Sequence, residues 1–598
     1  MNFGKGYDSV RKRLGLAKRP AARAAARDTE FGKRLVRLYA KGSMASGDVG
    51  ALARDAAQLI DQGSSSSSAA SGLARLAKAR PKTHRLRASG KATPDTRLAS
   101  RALQRVLHAE SPLGPTYDAD VVVWDKVSDR KTTAKMSFYP IHEMLEVVVP
   151  LGEESDWCNF GDDQKGLQED MLDWGKRVGL SPKQLATYAA IGLWGDGAAY
   201  ANKDSLFLLV FTVVSGKCRR RFWICGFSKR VLCQCGCFGR CTFDSVFGVI
   251  AWMFRVLLAK KHPVVDHTGT PFPECSHRAK RAGQPLRVGG GRNAICADWP
   301  WNKSALGIRG WRGDKHTRRM CWICRAAFTE EHDCYNFRED APWRRTMMTN
   351  SDFWTAARTE RQYVSRIWEV PGFTLATIRL DWMHIVCLGI LQYLLANCFW
   401  ELFVSLGGNF NNWRSTCNIL ENMIHVCARR LKVEPPLHTL TVHMFRTSAK
   451  HKPKFKVKAA EGRHMLPIVE EMLRTCFPLV SPHEQTRYQC LAALHRCYME
   501  LGTWTPKSSP ERLCRNARQH LLLYCQLRAE ATNDLLWCLF PKHHLFIHLA
   551  EAAVTNPRLE WNYADESEIG EAAKQAAKTN VAHLSVQLLQ RYRATFEV

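Results

Sequence analysis

The chain is short of acidic residues and of long apolar runs, and each deficit excludes something. Against 86 Lys and Arg stand 56 Asp and Glu, giving a formal charge of +30 and a sequence pI near 9.5. Such an excess argues against a cationic partner and for a polyanion, of which nucleic acid is the usual one. The longest apolar stretch, IVCLGILQYLLANCFW (385–400), has 16 residues and contains Gln392 and Asn397. That is too short and too polar for a membrane span, so a buried helix and no membrane are expected. The N-terminus, MNFGKGYDSVRKRLGLAKRP, lacks the apolar core of a secretory signal. KRAGQPLRVGGGRN (280–293) is glycine-rich but has no Lys-Ser/Thr pair, which argues against a P-loop nucleotidase. The 22 cysteines cluster at Cys-x-Cys and Cys-x2-Cys spacings. With no export signal, that pattern indicates free thiols or metal ligands rather than disulfides.

What is present divides the chain unevenly. Residues 1–110 hold 23 Lys and Arg against 8 Asp and Glu, include GSSSSSAASG (63–72), and contain no Trp. This segment cannot bury enough apolar surface to offset its ordering entropy, so a disordered basic tail is expected. RKRLGLAKRP reads either as a solvated tail or as a nuclear-import or DNA-contacting segment. The remainder, with most of the 45% hydrophobic residues and all 19 Trp, must fold around a large core. Further boundaries are expected as an accessory α/β region at 111–184, a first part of the core at 185–340, a helical region at 341–555 and a closing helix at 556–598.

DADVVVWDKV (118–127) and MLEVVVP (144–150) read as strands, and 160–188 as helix. LATYAAIGLWGD (185–196) is a strand ending at Asp196, followed by strands at 205–214 and 218–228. The helix TFDSVFGVIAWMFRVLLAKKH (242–262) comes next, then a strand over 286–299 ending at Asp298. Three strands, a helix and a further strand match the start of an RNase H-like α/β fold, in which the first and fourth strands lie side by side.

Strand-end carboxylates suit two-metal phosphoryl transfer, which needs several carboxylates converging on two divalent ions. Asp196 and Asp298 end the candidate first and fourth strands, and Glu566 would come from the last helix. The competing reading of Asp196 is a turn residue in the hairpin GDGAAY (195–200). Cys321, Cys324, His332 and Cys334 form C-x2-C-x7-H-x-C, enough soft ligands for one zinc. Cys233, Cys235, Cys237 and Cys241 are a second candidate zinc set. The alternative for both is buried thiols packing as small apolar groups. His543, His544 and His548 include an i, i+4 pair that reads as structural without a nearby acid. Lys450, Lys452, Lys454, Lys456 and Lys458 alternate through 446–464, placing their ammonium groups on one face for phosphate contact. The bland alternative is a solvated loop.

Four landmarks in order resemble the transposases of CACTA (En/Spm-type) DNA transposons. They are WGDGAAYANKDSLF, CADWPWNKSALGIRGWRGDKHTRRMCWIC (296–324), LDWMHIVCLGIL (380–391) and PKHHLFIHLAE (541–551) before an acid-rich helix start. The resemblance spans roughly 185–596. It implies an RNase H-like DDE core, interrupted by a mostly helical insertion, acting with Mg²⁺ or Mn²⁺ on transposon ends and target DNA. Asp196 and Asp298 match the first two acids, and Asp381 and His384 match an Asp-x2-His signature, with Asp381 a runner-up second ligand. Glu566 is the expected third acid, with Asp565 and Glu568 as alternatives, because the family's aromatic-Glu-Arg context here reads ADESEIG. A nuclear protein working as a dimer or larger assembly is implied. The rival expectation is a DNA-binding relic that keeps the fold without catalysis. A third reading treats the cysteine clusters as zinc modules for protein contact.

Overall fold

Strands with unbroken apolar runs need cover on both faces, and these strands have it. The protein is described here from a computed structural model over residues 111–216, 220–308, 320–359 and 363–596. The expectations for the basic tail lie outside these described residues. Strands β1 (Tyr117–Asp125) and β2 (Arg130–Phe138) form an antiparallel hairpin. Strands β3 (Tyr188–Ala201), β4 (Asp204–Val213), β5 (Phe222–Ser228), β6 (Gly289–Ala297) and β7 (Ile378–Arg379) form a mixed sheet in the order β5–β4–β3–β6–β7. β4 is antiparallel to both neighbours, whereas β6 runs parallel to β3, and β7 to β6. The first and fourth strands of this sheet are therefore neighbours, with Gly195 opposite Ala297.

The α-helices of eight residues or more are numbered in order. They are α1 (Ile141–Val148), α2 (Lys165–Val178), α3 (Arg240–Ala259), α4 (Trp299–Leu306), α5 (Asn350–Thr359), α6 (Leu391–Ser405) and α7 (Trp413–Leu431). After these come α8 (Ala459–Thr475), α9 (Pro482–Gly502), α10 (Ser509–Glu530), α11 (Pro541–Glu551), α12 (Tyr563–Ala576) and α13 (Leu584–Thr595). Helix α3 supplies the crossover that a parallel β3–β6 pair demands.

Side-chain alternation along β3 sorts its neighbours onto two faces. Gly195 points toward α4: a Cβ there would stand 2.2 Å from the Trp301 ring. Trp301 in turn packs edge-on against Phe243 and Phe247 of α3. Trp194 and Asp196 share the other face. There the Arg221 guanidinium lies 4.2 Å over the Trp194 ring and pairs with Asp565 of α12. On the same side Trp223 stacks on Tyr592 of α13 at 4.6 Å. Asp196 thus looks out between the sheet and the two C-terminal helices.

Several sequence expectations need correction. The segment 144–148 belongs to α1, because Ile141, Met144, Leu145 and Val148 are buried at helical spacing and outweigh the valine run. The expected helix over 160–188 breaks at Gly179 (φ +76°), and β3 begins at Tyr188. Asp196 does not sit in the hairpin turn: it pairs with Leu208 of β4, and the chain reverses at Asn202 and Lys203, the latter at φ +60°. The apolar run at 385–400 lies in a helical stretch, Met383–Ser405, kinked at Gly389. That stretch and α3 are long and apolar enough to cross a membrane by length and composition, and both are mostly buried inside the protein.

Candidate active site and metal centre

Asp381 follows the two-residue strand β7 and is buried, with both carboxylate oxygens engaged by donors. Its Oδ1 accepts from the backbone N–H groups of Met383 (3.1 Å) and Asn562 (3.0 Å). Its Oδ2 accepts from the His384 backbone N–H (2.8 Å) and ring Nδ1 (2.6 Å). In this arrangement Asp381 acts on its neighbours as a positioning residue. It fixes the His384 ring and ties the loop after β7 to Asn562, the residue before α12.

The first residues of α12 separate the three candidate acids. Asp565 forms a two-point pair with Arg221, at 2.8 and 3.1 Å, both side chains buried. Glu568 accepts from Trp223 Nε1 at 2.8 Å. Both are committed to the sheet. Glu566 stays half-exposed and within electrostatic reach of His384 and Asp381. The unfamiliar ADESEIG context thus places one acid toward the site and two into packing. Asp298 caps α4, its Oδ1 accepting from Trp301 N–H at 2.7 Å.

These charges feel one another. Burial pushes the Asp196 carboxyl up to about 7; His384 works against that, while Asp298 and Glu566 add to it. Burial also raises Glu566 above the ordinary carboxylate range. Burial alone would lower His384, but its bond to Asp381 and the nearby Asp196 and Asp298 carboxylates raise it to about 9. His384 thus stands as a cation among the carboxylates. Among the described residues, the groups of three or more Cys, His, Asp and Glu whose ligand atoms gather within 4.8 Å are two thiol-containing sets. Asp196 lies within electrostatic reach of both Asp298 and Glu566.

Sequence reasoning missed Lys542. Its Nζ donates to the His384 carbonyl at 2.7 Å. Burial and Lys454 lower it to about 8, against the pull of Asp298 and Asp381. Met383–Ile390 winds as a π-helical segment into α6 with Gly389 off helical geometry, and a Cβ on Gly389 would stand 2.7 Å from Lys542 Cδ. π-helical turns of this kind often mark functional positions. The segment leading to α8 alternates as expected: Pro453, Phe455 and Val457 are buried while Lys452, Lys454, Lys456 and Lys458 are exposed. It is an extended segment rather than a strand, and Lys450 lies in the exposed turn before it. Phe455 N–H bonds the Gln392 carbonyl (2.9 Å), and Gln392 Nε2 donates to the Val457 carbonyl (2.8 Å). Lys454 lies 5.7 Å over the Tyr393 ring. The lysine ridge therefore leads, through Lys454 and Lys542, to the carboxylates.

The zinc expectation is half right. Cys321 and Cys324 meet His544 and His548 of α11, all four buried, with ligand atoms within 4.8 Å of one another. Cys324 Sγ lies 3.3 Å from each histidine Nε2, and the two Nε2 atoms are 3.0 Å apart. His544 Nδ1 donates to the Cys334 carbonyl at 2.9 Å, leaving its Nε2 lone pair facing the thiols, as in histidine metal ligands. This set could hold a soft metal such as zinc. Cys334 contributes a carbonyl and not its thiol, and His332 lies outside, beside Glu331. The signal for the histidines that meet these thiols was their i, i+4 spacing. Cys233, Cys235, Cys237 and Cys241 also assemble, as the second thiol set.

Two outcomes are expected. The folded value of His384 exceeds its ordinary value of about 6.5, so the stability from its pair with Asp381 is fully present below that pH and is lost as pH rises through about 9. Chemical denaturation from pH 7 to 10 should cost His384→Gln less stability than the parent, by on the order of 2 kcal/mol; equal losses would contradict the pairing. Cys324→Ser and His548→Gln should each lower bound zinc by one ion per chain in elemental analysis, and His332→Ala should not. Zinc lost in His332→Ala would contradict the observed set.

No model of a known protein family matches the chain, and no curated protein matches its sequence.

Proposed function

We propose that the chain is a transposase-like DNA nuclease and strand transferase built on an RNase H-like core. The observation that carries this reading is that Asp196, on the first strand of the sheet, lies within electrostatic reach of Asp298, which follows the parallel neighbour strand, and of Glu566 on α12. The strand order, with the second strand antiparallel and the first beside the fourth, supports the same reading. So do the helices inserted between Asp298 and Glu566.

The donors fit a hard divalent cation: they are carboxylates, and Asp196 is held up by burial and by its acidic neighbours, a charge conflict that Mg²⁺ or Mn²⁺ would relieve. Asp196, Asp298 and Glu566 would hold it, and when bound it would supply activated water and leaving-oxygen stabilisation. The chain's own contributions are separate. Exposed Lys452, Lys454, Lys456 and Lys458 bind the phosphate backbone without reading bases. Lys542 extends that positive track to the carboxylates. His384, held by Asp381, sets a fixed cation beside the phosphate undergoing cleavage. Such an enzyme would work in the nucleus and join two DNA ends through a dimer or larger assembly.

A second reading, a DNA-binding relic, is favoured by one observation: Asp298 spends Oδ1 as a helix cap. Nicking of supercoiled DNA with Mn²⁺ separates the two. The enzyme reading expects nicking that falls at least about 100-fold in Asp196→Asn, with DNA affinity kept. Changing Lys454, Lys456 and Lys458 to Ala should instead weaken binding and lower the salt slope by about one per lysine. DNA binding without nicking in the parent would establish the relic.

A further inference from the structure

The nine residues from Cys233 to Cys241 fit neither a packed core nor a plain loop. They run from the segment after β5 into the first turn of α3, and all four Sγ atoms fall within 4.8 Å of one another. Cys233 Sγ is 3.3 Å from Cys235 Sγ, which is 3.8 Å from Cys241 Sγ. These separations are too long for disulfides. Only Cys233 is buried; Cys235 is exposed, and Cys237 and Cys241 are partly so. Thiols acting as small apolar groups would be covered. Burial is therefore not what gathers them.

The backbone is wound to bring them together. Gly236, Phe238 and Gly239 have φ of +86°, +54° and +87°. Phe238 carries a side chain in the left-handed region and is largely exposed, a conformation that costs about 1 kcal/mol or more and persists only where something holds it. The bonds that close the loop are Gly239 N–H to the Cys233 carbonyl (3.0 Å), Arg240 N–H to the Cys237 carbonyl (3.1 Å) and Cys233 N–H to Thr242 Oγ1 (3.0 Å). Cys241 lies in the first turn of α3, where the helix dipole favours negative charge. That end of the helix would partly balance the net charge that four thiolates leave on a divalent ion.

We infer that Cys233, Cys235, Cys237 and Cys241 form a second zinc site, a solvent-accessible tetrathiolate that takes Zn²⁺ and fixes the N-terminus of α3. Four sulfur donors select zinc over the hard cations that suit the carboxylates. All four come from one short stretch, so the site closes locally. The buried Cys321, Cys324, His544 and His548 set instead joins segments more than 200 positions apart. The two sites should therefore differ in exchange: the exposed one yields its metal to a chelator and the buried one retains it. This holds whether or not the chain cuts DNA.

The test is zinc content of the purified full chain, prepared under reducing conditions with zinc present. The parent should carry two zinc ions, one removed quickly by EDTA and one slowly. The double variant C235S/C237S should carry one, the slow one. A parent with a single zinc that the double variant keeps would overturn the proposal, as would thiols that alkylate in the native chain without releasing metal. If the variant fails to fold, Co²⁺ substitution of the parent decides. Charge-transfer absorption equivalent to six thiolates supports the second site, and absorption equivalent to two refutes it.

Discussion

The buried carboxylate of Asp381 is the interaction on which the site depends. It accepts from Met383, from both the backbone and ring of His384, and from Asn562. In one residue it joins the end of the sheet, the start of the central helix and the start of the helix carrying Glu566. A buried carboxylate is stable only when its lone pairs are taken, and here four donors take them. Removing the group would leave those donors unpaired and would free the His384 ring at once.

From that anchor the charges follow. His384 is held positive, within electrostatic reach of Asp196 on β3 and of Asp298, the residue after β6, while Glu566 of α12 acts on Asp196. Asp565 and Glu568 are taken up by Arg221 and Trp223, which locks α12 over the sheet and leaves Glu566 to the site. The far side is fixed by Trp301 lying against Gly195. The polar residues inside the long apolar run have equally definite work. Gln392 fastens the lysine ridge, and Asn397 accepts from the Trp537 N–H at 3.0 Å. The run is a core helix whose few amides hold the segments crossing it.

Much of this was legible in the sequence because it is local. Apolar runs placed β3, β4, β5 and β6 within a few residues, and the alternating lysines did present one face. That Asp196 and Asp298 belong to neighbouring strand segments was readable as well, although β3 runs on past the expected end at Asp196 to Ala201. What failed was whatever depended on distant segments. Cys321 and Cys324 were paired with His332 and Cys334 because those stood nearest in sequence, whereas the fold brings His544 and His548 from α11. Asp381 and His384 were recognisable as a motif, but the role of Asp381 rests on Asn562, 181 positions away. Lys542 gave no signal, since a single lysine before a histidine pair is ordinary until the fold sets it against His384. The valines of 147–149 misled because β-branched residues favour strands, while burial at helical spacing decided the outcome.

The central claim is that Asp196 and Asp298 serve one site. Calorimetric titration of the full chain with Mn²⁺, in the parent and in Asp196→Asn and Asp298→Asn, tests it most directly. The account predicts binding by the parent, with duplex DNA present if required, that weakens at least about tenfold in each variant, a change of roughly 1.4 kcal/mol. Binding unchanged in either variant, or no binding by the parent even with duplex present, would contradict it.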